Sequence, residues 1–189
     1  GDYLFYRGNN LKSIQQAAVL ESFSNIRKGG SLYCSSLYIC ELLEKVLEEG
    51  YPVVDIYKLT LEAFYSLNSE EDNAFLITRC FELNLLNNLG YCPALTNCLN
   101  CGQGTPPFNF SPALGGLLCS NCFSESRGFS ISPGSIALMQ RILALGFKGI
   151  RKVKLPEVSK KEITRVCWEL LIYNTEIKNI KSKSYLEFE

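Results

Sequence analysis

Cys98-Leu99-Asn100-Cys101 and Cys119-Ser120-Asn121-Cys122 are separated by seventeen residues, and this stretch decides how the rest of the chain is read. A C-x2-C pair turns both of its sulfurs toward one point, and two such pairs at this separation have the spacing of a four-thiolate zinc site. Between them, Phe108-Asn109-Phe110 and Leu114 to Leu118 read as a hairpin that returns the second pair to the first. Gly102 and Gly104 ease the turn past the first pair. Cys98, Cys101, Cys119 and Cys122 are therefore expected to hold one structural Zn2+. Four thiolates leave no coordination position for water, so no hydrolytic chemistry is expected there. The rival reading, buried free thiols or a redox pair, needs two matched pairs to arise by accident. Cys34, Cys40, Cys80, Cys92 and Cys167 read as small core residues, with Cys92 as a spare ligand.

Outward from this stretch the periodicity is helical. On the N-terminal side, Leu11 to about Phe23 has a helical pattern; Leu37, Cys40, Leu43 and Leu47 form a second stripe. Gly50-Tyr51-Pro52 ends that helix, and Ile56, Leu59, Ala63 and Leu67 begin another. Ile77, Phe81, Leu85 and Leu89 line a third, closed by Gly90 and Pro93. Beyond the cysteines, Ile136, Met139 and Leu143 share one face, as do Ile163, Val166, Cys167, Leu170 and Leu171. Leu4-Phe5-Tyr6 before a Gly/Asn turn reads as a short strand. The expected fold is mainly α: a helical domain of residues 11–97 and 131–189 with an inserted four-cysteine, zinc-ribbon-like β-hairpin module at 98–130. Residues 1–10 read as a remnant strand of an N-terminal domain. Glu70-Glu71-Asp72 reads as helix-start charge that favours the dipole, not as a catalytic acid set.

Composition narrows the function. The 189 residues contain no histidine, which removes the usual neutral-pH base, imidazole metal ligands and the common nucleophile pairs. A base deaminase would need an open metal position with a glutamate beside a ligand, and that pattern is missing from the sequence. The chain is thus expected to bind partners and not to catalyse. Nine cysteines, an odd number, with no basic-then-apolar leader before Asp2-Tyr3-Leu4 favour a reducing, cytoplasmic setting. Between Glu82 and Glu125 no residue is charged, yet Asn, Pro, Gly and Cys are too dense for a membrane span. Neither a membrane nor a small-molecule substrate is expected. The formal net charge of zero conceals 7 basic and 12 acidic residues in 1–97 against 12 basic and 7 acidic in 98–189.

The stretch Arg79-Cys80-Phe81-Glu82-Leu83 through Leu85-Leu86-Asn87-Asn88-Leu89-Gly90-Tyr91-Cys92-Pro93-Ala94-Leu95, followed by Cys98-x-x-Cys101-Gly102, resembles the bacterial recombination mediator RecO. Phe108-Asn109-Phe110-Ser111, Gly115-Gly116-Leu117-Leu118-Cys119-x-x-Cys122, Ser132-Pro133-Gly134 and Lys181-Ser182-Lys183-Ser184-Tyr185-Leu186 continue the likeness in the family's order. The resemblance implies an N-terminal OB-fold, of which only a last strand fits before Leu11, then a helical domain and a small zinc module. It also implies DNA repair in the bacterial cytoplasm, at the nucleoid. RecO proteins bind single- or double-stranded DNA, anneal complementary strands, and work with RecR and the single-stranded-DNA-binding protein SSB to load RecA.

Residues 141–165 contain Arg141, Lys148, Arg151, Lys152, Lys154, Lys160, Lys161 and Arg165 against only Glu157 and Glu162. This is the candidate surface for DNA or for a partner protein, since phosphate contacts need clustered Lys and Arg. The plainer alternative is a solvated connection between helices. Four thiolates on one divalent cation carry a formal charge of −2, which makes the zinc module a poor DNA contact. Tyr33, Tyr38, Tyr51, Tyr57, Phe64 and Tyr65 read as core or half-buried cover, not as base-stacking platforms. A zinc-ribbon protein-interaction adaptor that never touches nucleic acid is the alternative function.

Overall fold

The computed structural model describes residues 1–7, 12–50, 53–69, 73–124, 128–175, 177 and 179–186. Five α-helices are found among them: α1 (Gly30–Val46), α2 (Val54–Ser69), α3 (Ala74–Asn88), α4 (Pro133–Leu145) and α5 (Glu157–Asn174). Five short strands accompany them: β1 (Asp2–Arg7), β2 (Lys12–Ala18), β3 (Phe108–Ser111), β4 (Gly116–Cys119) and β5 (Phe129–Ile131). The chain is mainly helical, as its periodicity requires, with two small antiparallel sheets.

The centre of the molecule is α3. It touches α1, α2, α4 and α5, so its residues are buried on every side. Asn73 starts it by accepting a bond from the Phe75 N–H at 2.8 Å, and Gly90 ends it in the left-handed region at φ 88°. Because Ala74 to Leu86 of α3 are buried except for half-buried Asn84, its two charges are buried together: Arg79 Nη2 lies 2.9 Å from Glu82 Oε1, one turn on. The Tyr38 hydroxyl of α1 donates to the same oxygen at 2.5 Å. A buried pair of this kind destabilises by about 3–5 kcal/mol when one partner is removed, since the other is left as an uncompensated charge.

The stripes expected on α2 and α5 are the faces that are buried: Ile56, Leu59, Ala63 and Leu67, and Ile163, Val166, Cys167, Leu170 and Leu171. On α1 the expectation is corrected. Ser35, Tyr38, Ile39 and Leu42 face the core, whereas Leu37 and Cys40 are exposed and Leu43 and Leu47 pack only partly. The helix is rotated by about one residue because Tyr38 finds a buried acceptor in Glu82, a partner 44 residues away. Of the five cysteines read as core, only Cys80 and Cys167 are buried; Cys34 is half-buried, and Cys40 and Cys92 are exposed. Tyr33, Tyr57 and Tyr65 are likewise more exposed than cover residues would be. Tyr51 and the acids 70–72 lie outside the described residues.

The helix expected from Leu11 to Phe23 is not formed. Residues 12–18 are a strand, β2, paired antiparallel with β1 so that Phe5 faces Ile14 and Asp2 faces Ala18. The apolar spacing Ile14, Ala17, Ala18 suits a helix, but the aromatic β1 offers a backbone ladder and a cross-strand partner that local propensity cannot anticipate. The described side chains of this ribbon are exposed, Tyr3, Leu4, Phe5, Tyr6 and Ile14 among them.

The second sheet has the order β4-β3-β5, with β3 pairing Phe108 to Cys119 on one side and to Ile131 on the other. The expected hairpin is therefore present. Phe110, Leu117 and Leu118 are fully buried in an apolar cluster continuous with that of the helices. β5 runs directly into α4, whose first turn is tied to α5: Glu162 Oε2 accepts from the Ser132 N–H (3.1 Å), the Ser132 hydroxyl (2.6 Å) and the Ser135 hydroxyl (2.6 Å).

Candidate metal centre and binding groove

The turn past Cys101 and the start of β4 bring the four cysteines together. Gly102, at φ 76°, takes the left-handed conformation that lets its N–H bond back to the Cys98 carbonyl at 2.8 Å. The second pair is closed in the same way, with the Cys122 and Phe123 N–H groups both bonded to the Cys119 carbonyl at 3.0 Å. Leu99 N–H to Leu117 O, at 2.8 Å, clips the first turn onto β4. Gly116 allows this approach: a Cβ there would meet the Ala94 carbonyl oxygen at 2.6 Å.

As a result the sulfurs of Cys98, Cys101, Cys119 and Cys122 all lie within 4.8 Å of one another. Cys101 Sγ and Cys119 Sγ are 3.6 Å apart. Tetrahedral thiolates at about 2.3 Å from a zinc ion sit close to that separation from each other, so the donor set fits a metal ion of this size. The electrostatics also ask for a cation. Burial pushes the Cys98 thiol up, but backbone N–H groups of Cys119, Cys101 and Asn100 outweigh it and draw its pKa down to about 6. The Gln103 N–H favours the Cys101 thiolate, yet the sulfurs of Cys98, Cys119 and Cys122 oppose it, and its pKa is pushed up to about 12. One thiolate is stabilised and its neighbour is opposed by it, which a divalent ion among them relieves. Asn100 Nδ2 donates to Cys122 Sγ at 3.3 Å, an outer-shell contact of the kind that orients a ligand. Cys92 is not part of the group.

Of the eight basic residues of 141–165, three line a groove and five do not. Arg141 on α4, Lys148 on the turn after it, and Arg151, Lys152 and Lys154 on the connection to α5 are exposed. Lys160, Lys161 and Arg165, on the first turns of α5, line instead a groove of about 740 Å³. Its apolar lining comes from Phe75 of α3, Trp168 of α5, and Ile180 and Leu186 of the C-terminal segment. Buried Arg79 and Lys183 of the C-terminal segment line the same groove. Arg79 Nε has no hydrogen-bond partner among the described residues. The Lys183 ammonium lies 3.2 Å from the Trp168 ring centroid, and the Arg165 guanidinium carbon lies 3.9 Å from that of Phe129. Both are cation–π contacts that fix long side chains in position. Lys160 is also paired with Glu157, and Arg165 with Glu169 at 3.5 Å.

Sequence reasoning missed six of these residues, Phe75, Arg79, Trp168, Ile180, Lys183 and Leu186. Arg79 had a signal, since it is the first charge in the apolar run Ala74-Phe75-Leu76-Ile77-Thr78 and has Glu82 one turn on. Trp168 and Lys183 had none, because their meeting depends on how the C-terminal segment folds back. No helix among the described residues is long and apolar enough to cross a membrane.

Fold and sites together define a mainly helical protein with four cysteines close enough to hold a metal ion and a groove lined by cations and apolar side chains. The family model described as "Recombination protein O C terminal" matches residues 29–184. The chain is 33% identical over 142 residues to DNA repair protein RecO of Listeria monocytogenes, an alignment covering 75% of this chain and 55% of that protein. With the RecO of Syntrophomonas wolfei it shares 35% identity over 160 residues, 84% of this chain and 64% of the relative. For the RecO of Symbiobacterium thermophilum the figures are 30% over 187 residues, 96% and 74%. The chain belongs to the RecO family of DNA repair proteins and matches its C-terminal part. It spans little more than half the length of the first of these relatives.

Proposed function

We propose that this chain is the helical, metal-bearing part of a recombination mediator that works without catalysing a reaction. It acts in the cytoplasm at the nucleoid, bringing SSB and RecR to DNA so that strands are annealed and RecA is loaded. The observation that carries this reading is the groove. Five cations, Arg79, Lys160, Lys161, Arg165 and Lys183, line it together with the apolar side chains of Phe75, Trp168, Ile180 and Leu186. An acidic peptide that ends in apolar side chains and a free carboxylate matches it chemically: apolar groups meet the apolar lining, the terminal carboxylate meets buried Arg79, and preceding acids meet the rim. The SSB tail has that chemistry. Arg79 is suited to anchor it because a desolvated guanidinium holds a carboxylate more strongly than an exposed lysine does.

The metal is proposed to be zinc, one per chain, with a bracing role. Its four thiolates fit, and what it supplies is folding energy for residues 98–130. DNA is assigned to the other half of the basic set, Arg141, Lys148, Arg151, Lys152 and Lys154, where exposed cations suit counterion release.

The test is a titration of labelled oligonucleotide and of a labelled Asp-rich peptide ending in phenylalanine against wild type and two sets of variants. Replacing Lys160, Lys161 and Arg165 by alanine should weaken the peptide at least about tenfold and DNA little, as hot-spot cations do. Arg151→Ala, Lys152→Ala and Lys154→Ala should each reduce the salt slope of DNA binding by about one unit and leave the peptide untouched. If wild type binds the peptide at low salt but no DNA at all, the adaptor function replaces the mediator. If it binds neither, both basic sets are solvated surface and the assignment fails.

A further inference from the structure

Part of the groove's lining lies outside the helical bundle. It is a strap, residues 180–186, that follows the end of α5 and lies across the bundle to reach α1. Four groove-lining residues belong to it: Ile180, Lys183, Ser184 and Leu186. The strap has little regular structure of its own, only the single 3₁₀ turn Lys181–Tyr185, so its position depends on what it touches.

One contact stands out. Glu41 of α1 grips the first turn of the strap with both carboxylate oxygens: Oε1 accepts from the Lys181 N–H at 2.8 Å, and Oε2 from the Ser182 N–H at 2.8 Å and the Ser182 hydroxyl at 2.5 Å. Residues 140 and 141 positions apart are joined by three bonds to one charged group. The Ser182 hydroxyl and N–H hold the Glu41 carboxyl below the usual carboxylate range, against a small opposing effect of burial. Glu41 itself does not line the groove.

We propose that Glu41 is a positioning residue for the groove, latching the 180–186 strap so that Ile180, Lys183 and Leu186 stand where a ligand meets them. This inference rests on the groove being a binding site. Its physical basis is a population argument. With the latch intact the strap is docked and the groove has its wall; without it the strap samples undocked states. Apparent affinity then falls in proportion to the fraction that remains competent. Ile180 and Leu186 are buried in the docked strap, and Lys183 covers the Trp168 ring, so undocking both removes lining and bares the indole.

Trp168 is the chain's one tryptophan, which makes its emission a direct reading of the strap. Wild type, Glu41→Gln, Ser182→Ala and the control Glu44→Gln, an exposed acid about one turn further along α1, are compared by three measurements. These are Trp168 emission, the rate of trypsin cleavage after Lys181 and Lys183, and binding of the labelled Asp-rich peptide ending in phenylalanine. Glu41→Gln should shift the emission to the red, speed cleavage, and weaken the peptide by about tenfold, since charge-assisted bonds are the strong ones. Ser182→Ala, which leaves the two N–H bonds, should weaken it by about threefold. Glu44→Gln should match wild type, as should the far-UV circular dichroism of all three variants. An unchanged emission and cleavage rate in Glu41→Gln overturns the latch. A loosened strap with unchanged peptide affinity overturns its role in the groove while the groove stands as a site. Failure of wild type to bind the peptide removes the groove as a site, and this inference with it.

Discussion

The metal module and the groove are both places where charged or polar side chains converge, yet they are assembled in opposite ways. All four sulfurs come from 25 consecutive residues, positioned by two tight turns and one hairpin. The groove draws on α3, α5 and the C-terminal strap, from Phe75 to Leu186, and its principal cation is buried in the helix at the centre of the bundle. The first is a local construction, four sulfurs placed where one ion could hold them. The second exists only when the whole helical core is packed. Damage to the module should therefore stay in the module, whereas damage to the core should reach the groove.

The largest effect expected is on the module. Apparent binding free energies of structural zinc sites run to about 10–16 kcal/mol and count as folding energy. Chelation, or Cys119→Ser, should strip the metal and expose residues 98–130 to hydrogen exchange while α2 and α3 stay protected. Cys34→Ser, at a half-buried thiol outside the cluster, should change little. Equal effects of the two substitutions on metal content, or loss of protection throughout the chain, would erase the contrast.

A truncation sharpens it from the other side. Residues 1–97 retain α1, α2 and α3 but lose α4 and α5, which cover the rest of α3. A helix buried on all sides cannot lose two neighbours and stay folded, so the fragment should show low helicity and no cooperative melt. A sharp thermal transition with native circular dichroism would show that the core is divisible.

Arg79→Ala should cost about 3–5 kcal/mol in urea titrations, because Glu82 is left buried without its cation. Replacing both, Arg79→Met with Glu82→Leu, should recover most of that stability. If the charge is kept for binding, the double variant folds yet does not take the acidic peptide. A double variant that binds as wild type would show that Arg79 serves the core alone.

The smallest effect is a pH dependence at the joint between module and bundle. Burial raises the Glu162 pKa, but bonds from Ser132 and Ser135 outweigh it and leave the carboxyl below its ordinary value. A folded pKa lower than the unfolded one means stability that is present above the unfolded value and is lost as pH falls through the folded one. Glu162→Gln should flatten that acid limb of the stability curve. An unchanged limb would assign the acid sensitivity elsewhere.

Much of this was legible in the sequence, and the exceptions have physical causes. The cysteine spacing, the hairpin between the pairs, and the buried faces of α2 and α5 follow from periodicity, since each depends on residues a few positions apart. The α1 face was misjudged because an amphipathic tyrosine is assigned inside or outside by its partner, and Glu82 is 44 residues away. The strand at 12–18 was misjudged because a ladder with β1 outweighs a weak helical pattern. The basic run 141–165 is continuous in sequence, yet only Lys160, Lys161 and Arg165, on the first turns of α5, line the groove, because which cations line it depends on how α5 packs beside α3 and the C-terminal segment.

By itself, then, the sequence determined the mainly helical class, the clustering of the four cysteines and the family likeness, all of which rest on short-range spacing that survives any arrangement of the helices. Only the tertiary structure decided that Arg79 is buried beside the groove's apolar lining, that three of eight cations share it, and that Glu41 holds the strap opposite. These depend on contacts between residues far apart in the chain, whose geometry is set by how the whole core packs and by no local pattern.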